Sequence, residues 1–196
     1  MTKSPMIRTV SLAVALGLGG LAMVGCTTTT PQSQASPATS RAAMETAVNE
    51  SLQRLYTTVP GSREMVAKAA GVLVFPAVVG GSFVVGAEHG KGALRVGGST
   101  VGYYSTTGAS VGFQAGGQSR AVIYVFNTRD ALEKFRNSNG WIADADATVA
   151  VGKVGANGSV DTQTIKQPVV SFVLTNVGLE AGVSVGGSKI TPITLP

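Results

Sequence analysis

Between Gly71 and Gly98 the chain reads GVLVFPAVVGGSFVVGAEHGKGALRVGG, apolar and β-branched with glycine at short intervals. A run of this kind belongs in a sheet. Pro76 has no N–H to give a ladder and is expected to break the first strand. The remainder reads as a glycine-rich strand pair. There Gly80, Gly81, Gly86, Gly90 and Gly92 are expected to supply positive φ angles and room for tight strand crossings.

The same stretch holds the one histidine of the chain, His89. Nucleophilic catalysis of the triad type needs a base oriented beside a serine or cysteine, and the neighbours of His89 are Glu88, Gly90 and Lys91. A turn or surface role is the expectation, and no G-x-S-x-G elbow occurs. One histidine and one cysteine make a poor ligand set for zinc. Asp144 and Asp146 form a close acidic pair without the rest of an EF-hand loop. Gly90-Lys91-Gly92 begins like a dinucleotide fingerprint, but Arg95 stands where its last glycine belongs. The chain is therefore expected to have no enzymatic activity, no metal and no cofactor.

Around this stretch the periodicity changes several times. Met44, Val48, Leu52, Leu55, Tyr56 and Val59 recur at spacings of three and four, which predicts an amphipathic helix. Its polar face balances Arg41 and Arg54 with Glu45 and Glu50, which favours packing on the domain's own core over lying in lipid. Pro60-Gly61 ends it, Ser62 is expected to cap a second helix running to Ala70, and Gly71 to end that one. Strands are expected over Ser82–Glu88, Val101–Ser105 and Ala109–Ala115, with Gly108 as a turn. Arg120–Phe126, RAVIYVF, is apolar on both faces and predicts a central strand. Thr128 should cap a helix with Ala131, Leu132 and Phe135 inward. Further strands are expected over Ala147–Val154, Val169–Leu174 and Leu179–Val185, with Asn157-Gly158 as a hairpin turn. The fold class is α+β: a strongly curled antiparallel sheet or small β-barrel of about seven or more strands, with amino-terminal helices and one mid-chain helix covering it.

The amino end has a different composition. Lys3 and Arg8 precede an apolar run from Val10 to Gly25 that stops at Cys26, in the order of an export signal. Cys26 is the only cysteine, so no disulfide can form within the chain. Met23-Val24-Gly25-Cys26 resembles the lipobox of bacterial lipoproteins, with Met23 where leucine is preferred. Three parts are expected: a signal peptide over residues 1–25, a disordered tether over 26–40 with Cys26 lipidated, and a folded domain over 41–196. A plain secretory peptide cut nearby is the alternative. Removing residues 1–25 lowers the formal net charge from +5 to +3, a mild bias toward anionic partners and far from what nucleic-acid binding requires.

Five segments in order resemble the SYLF domain, a lipid-binding domain of bacterial exported proteins and of eukaryotic proteins of membrane and actin traffic. They are Ala70–Val74 with Phe75-Pro76, the glycine-rich strand to Leu94, Val111–Gln118, Asn127–Leu132 with Phe135, and Gly178–Ser184. The resemblance spans about residues 45–193. It implies binding to phospholipid membranes through basic residues and an amphipathic amino-terminal segment, with no known enzymatic step. Arg54, Arg63 and Lys68 beside the helices and Lys91 and Arg95 in the glycine-rich hairpin are the candidate lipid-binding residues. An apolar pocket in the curled sheet is the alternative site. The implied location is the periplasmic side of the outer membrane, lipid-anchored. An envelope protein partner is the alternative to lipid.

Overall fold

Arg120–Phe126 is apolar on both faces because it is buried on both. In the computed structural model, which describes residues 37–81, 85–111, 118–155, 158–180 and 185–196, it lies in strand β4 (Gln118–Phe126). Ala121, Ile123 and Val125 enter one hydrophobic cluster, and Val122, Tyr124 and Phe126 enter another. The period-two alternation of a strand divides these residues between two cores.

Two helices, α1 (Pro37–Thr58) and α2 (Ser62–Lys68), precede β1 (Gly71–Gly81), β2 (Val85–Val96), β3 (Ser99–Val111) and β4. Then follow α3 (Arg129–Asn137), β5 (Trp141–Ile142), β6 (Val149–Val151), α4 (Thr162–Ile165), β7 (Val169–Thr175), β8 (Gly178–Leu179) and β9 (Lys189–Ile193). The strand order is β5-β9-β3-β2-β1-β4-β7-β6, with β8 also on β7. Every pair is antiparallel except β6 with β7. The fold is α+β, a strongly curled mixed sheet forming a half-barrel.

The aromatic contacts give the direction of the curl. Five strand spacings separate β5 from β4, roughly 24 Å in a flat sheet, yet the Trp141 ring lies 5.9 Å from that of Tyr124. The sheet therefore closes toward this face. Phe75, Tyr124, Phe126, Phe135 and Trp141 fill the concave side, with Phe135 brought in by α3. On the convex side Val48, Leu52 and Leu55 of α1, with Val59 just past its end, bury against Val72, Val74, Ile123 and Val125. The stripe of α1 thus packs on its own sheet, as its near-neutral polar face implies.

Pro76 does not end β1. Between Phe75 and Val78 the strand advances three residues while β4 advances two, and the same excess appears against β2. This is a bulge, which is where a central strand tolerates proline. The extra residue shifts the side-chain parity, so Phe75 and Val78 both face the concave core. It also moves backbone into space that the side chains of β2 would fill. A Cβ on Gly92 would lie 2.2 Å from the Val74 carbonyl oxygen, and one on Gly90 would lie 2.8 Å from that of Ala77. The expectation of positive φ at Gly80, Gly90 and Gly92 is corrected accordingly: none has it, and they serve close approach. Positive φ belongs to Gly97 (59°) and Gly98 (83°), the two-residue turn joining Val96 to its partner Ser99.

Other boundaries also differ from expectation. Ser62 does not cap α2; its N-cap is Gly61 at φ 84°, and the Ser62 hydroxyl instead donates to Leu55 and Val59 carbonyls at the end of α1. Gly71 ends no helix, because α2 stops at Lys68 and Gly71 already pairs with Phe126. Gly108 makes no turn; it sits within β3 opposite Glu88. Thr128 does cap α3, accepting from the Ala131 amide at 3.3 Å. The expected strand Val169–Leu174 holds as β7, Ala147–Val154 shortens to β6, Leu179–Val185 lies largely outside the described residues, and β5, α4 and β9 are additions. Residues 82–84, 112–117, 156–157 and 181–184 lie outside the described residues, as do the expected signal peptide and Cys26. Within the expected tether, α1 already begins at Pro37.

Because backbone cannot move aside as a side-chain tip can, Gly92→Ala is expected to lower stability by about 3 kcal/mol. Lys91→Ala, on the open face of the same strand, should cost under ~0.5 kcal/mol. Urea unfolding of the two variants checks this difference.

Candidate functional site

The five cations singled out from the sequence fall into three environments. Arg95 is committed to the fold: its Nη2 donates to Glu45 Oε2 and its Nη1 to Asn49 Oδ1, both at 2.7 Å. Its side chain is 14% exposed. This clamp ties β2 to α1. Thr100 and Tyr103 on β3 also donate to Glu45, at 2.7 and 3.4 Å. Arg54 and Arg63 are exposed but engaged. Arg54 donates to the Thr175 carbonyl at 2.9 Å, and Arg63 lies 4.3 Å from the Tyr56 ring centroid. Lys68 and Lys91 are exposed and have no ion pair or hydrogen bond among the described residues. Arg54 reaches toward β7 and β8, while Arg95 clamps β2 on the other flank of the convex face, so the five do not form one cluster.

What surrounds Lys91 follows from the register. Beyond the reach of α1 the convex face of the sheet is uncovered among the described residues. One row of directly paired residues crosses five strands: Ser119, Val79, His89, Thr107 and Lys189. All five are exposed, Val79 by 53%. The next row places Ala77, Lys91, Ser105 and Thr191 side by side. Lys189 was not among the residues singled out from the sequence. Nothing local marks it, since its place beside Thr107 depends on β9 pairing with β3 from more than 80 residues away.

His89 and Glu88 are sequence neighbours on opposite faces and form no dyad. His89 stands on the convex surface. Glu88 turns inward and pairs with Arg120 at 2.5 Å. Beside this pair Tyr124 makes a hydrogen bond with Ser188, and burial holds its hydroxyl well above the ordinary tyrosine range. Thr106, Gly108, Val78, Val122 and Val185 complete the lining of a cavity of about 10 Å³, room for about one water molecule. This end of the concave core does not accommodate an acyl chain. The acidic pair 144/146 is occupied with its own loop: Asp144, at φ 64°, accepts from the Val149 amide, and Asp146 accepts from that of Ile142.

The clamp carries a pH dependence. Partial burial pushes the Glu45 carboxyl up, but hydrogen bonds from Thr100 and Arg95, the Arg95 charge and Tyr103 outweigh it, and the pKa falls below the ordinary 4.5. A depressed folded pKa contributes stability above the unfolded value, and this is lost as pH falls through the folded one. Glu45→Gln is expected to cost about 1–2 kcal/mol at pH 7, with allowance for the solvent exposure of the carboxylate. The loss should shrink below about pH 4, where the wild-type carboxylate is itself being protonated. Thermal unfolding of both chains from pH 7 to 3 measures it.

Comparison with known proteins gives one family. Residues 107–194, from the second half of β3 through β9, match the family model described as Ysc84, Las17-binding protein actin regulator. No curated protein matches the chain. The matched region contains β4, the capped α3, Trp141 and the returning strand β9, and it is consistent with the SYLF resemblance carried by the motifs in the sequence.

Proposed function

We propose that the chain is a cell-envelope lipoprotein whose folded domain binds phospholipid and catalyses no reaction. The family match supports a lipid-binding or interaction domain. The observation that carries the lipid reading is the uncovered convex end of the sheet, where Lys91 stands exposed without an acidic partner among the described residues. Lys68, Arg54 and Arg63 add exposed positive charge along the helices; Arg95 acts by holding α1. A basic residue near an anionic surface contributes on the order of 1 kcal/mol, so a few such contacts give weak, salt-sensitive attachment. Acyl chains on Cys26 would dominate the anchoring, at about 0.8 kcal/mol per buried methylene. No described helix is long and apolar enough to cross a membrane. Anchoring through Cys26 would hold the domain on the periplasmic side of the outer membrane, with residues 27–36 as the lead to α1.

A second reading, a module that holds another envelope protein, is favoured by the words of the family description, which name a binding protein and regulator. The two separate by experiment. The unacylated chain, residues 26–196 with Cys26→Ser, is expected to float with anionic vesicles at low salt and to release at high salt, and Lys91→Glu should weaken binding about tenfold or more. Failure to float with anionic vesicles at low salt rejects the lipid reading. Recovery of one protein partner from envelope extract after lipid removal favours the second. In the membrane fraction, mass spectrometry of the native protein should find an acylated amino terminus at Cys26, absent from Cys26→Ser. An unmodified amino terminus at another residue rejects the anchor.

A further inference from the structure

We infer that the convex end of the sheet is a proton-sensitive docking surface for anionic phospholipid headgroups, carried jointly by Lys91, Lys189 and His89. This rests on the phospholipid reading above and adds the surface and its control. The three residues come from two strands that are not neighbours. His89 opposes Thr107, and Thr107 opposes Lys189, so two strand spacings, roughly 10 Å, separate His89 from Lys189. Lys91 is two residues further along β2 on the same face, roughly 7 Å from His89. These separations are on the scale of the Debye length, about 8 Å at physiological ionic strength, so one headgroup layer feels all three. The side chains between them on β3, Ser105 and Thr107, are short and leave the cationic ends standing above the sheet.

The charges around His89 can be followed element by element. On β1 the residues from Ala77 to Gly81 carry none, and neither does any residue of β3. On β2 Glu88 faces the other side, bound to Arg120 of β4. At the end nearer α1, Glu45 is neutralised by Arg95. On β5, across from Lys189, the Ile142 amide is held by Asp146, the acidic group at this edge. The adjoining segments 82–84 and 112–117 contain no ionisable side chain. An imidazole changes charge between about pH 5 and 8. Protonation of His89 therefore adds a third positive charge to a face that has two lysines. Charge complementarity selects an anionic partner, and the open convex face suits a surface of headgroups.

The test uses the unacylated chain 26–196 with Cys26→Ser and vesicles of phosphatidylglycerol in phosphatidylcholine at low salt, with phosphatidylcholine alone as control. Affinity is expected to rise about fivefold from pH 8 to pH 5.5, the worth of one added charge at an anionic surface. His89→Gln should abolish the rise. Lys189→Gln should lower affinity about fivefold at both pH values, and Lys189→Arg should bind like the wild-type side chain. Circular dichroism shows each variant folded. If vesicles bind but His89→Gln keeps the rise, or Lys189→Gln binds unchanged, the inference is overturned and the phospholipid reading stands. If the wild-type surface does not bind anionic vesicles at either pH, both fall.

Discussion

The bulge at Pro76 governs the shape of the sheet. A proline in a central strand cannot donate to its neighbour, and the extra residue that accommodates it thrusts the Val74 and Ala77 carbonyls toward β2. Only glycine fits opposite them, at positions 90 and 92. Strands that approach this closely at one point and are twisted elsewhere cannot stay flat. The curl then brings Trp141 onto Tyr124 and creates a concave interior filled by aromatic rings. One backbone irregularity thus underlies the glycine pattern and the position of the core.

The two faces of the sheet are used differently. The concave face is closed by large side chains and holds an ion pair, Glu88 with Arg120, in which the Arg120 Nε has no hydrogen-bond partner among the described residues. The convex face is divided. Its β1-β4-β7 centre lies under α1, fixed by the Arg95–Glu45 clamp and by Arg54 on Thr175. Its distal end has no helix over it among the described residues. The clamp therefore does more than stabilise α1: by fixing where the helix lies, it sets how much of the sheet remains open.

Local periodicity made α1, β4 and α3 legible, because each presents its own signal: a three-four stripe, a run apolar on both faces, and a threonine cap ahead of a short amphipathic segment. The elements missed in the sequence depend on distant partners. KITPI has a proline and little alternation, and it becomes a strand because β3 offers it an edge. Gly108 looked like a turn and is a strand residue paired with Glu88, with Ser188 close against it. The same limit applied to the site. Lys91 and Arg95 occupy one face of one strand and are indistinguishable in sequence, yet Arg95 lies under α1 and Lys91 lies beyond it. Which cation is free was decided by where a helix ends on the sheet.

The placement of β9 has a consequence for how the chain reaches its native state. Strands β1 to β4 can assemble from near neighbours, beginning at the Gly97-Gly98 turn, but the edge formed by β3 stays open until residues 189–193 arrive. Trp141 enters its aromatic setting on β5, whose ladder partner is that same late strand, and Arg41 of α1 donates to the carbonyl of Leu195. The first helix and the mid-chain tryptophan therefore both depend on the last eight residues. During synthesis such a domain is held short of its final form until residues 189–195 have emerged to supply the β3 edge and the Arg41 acceptor.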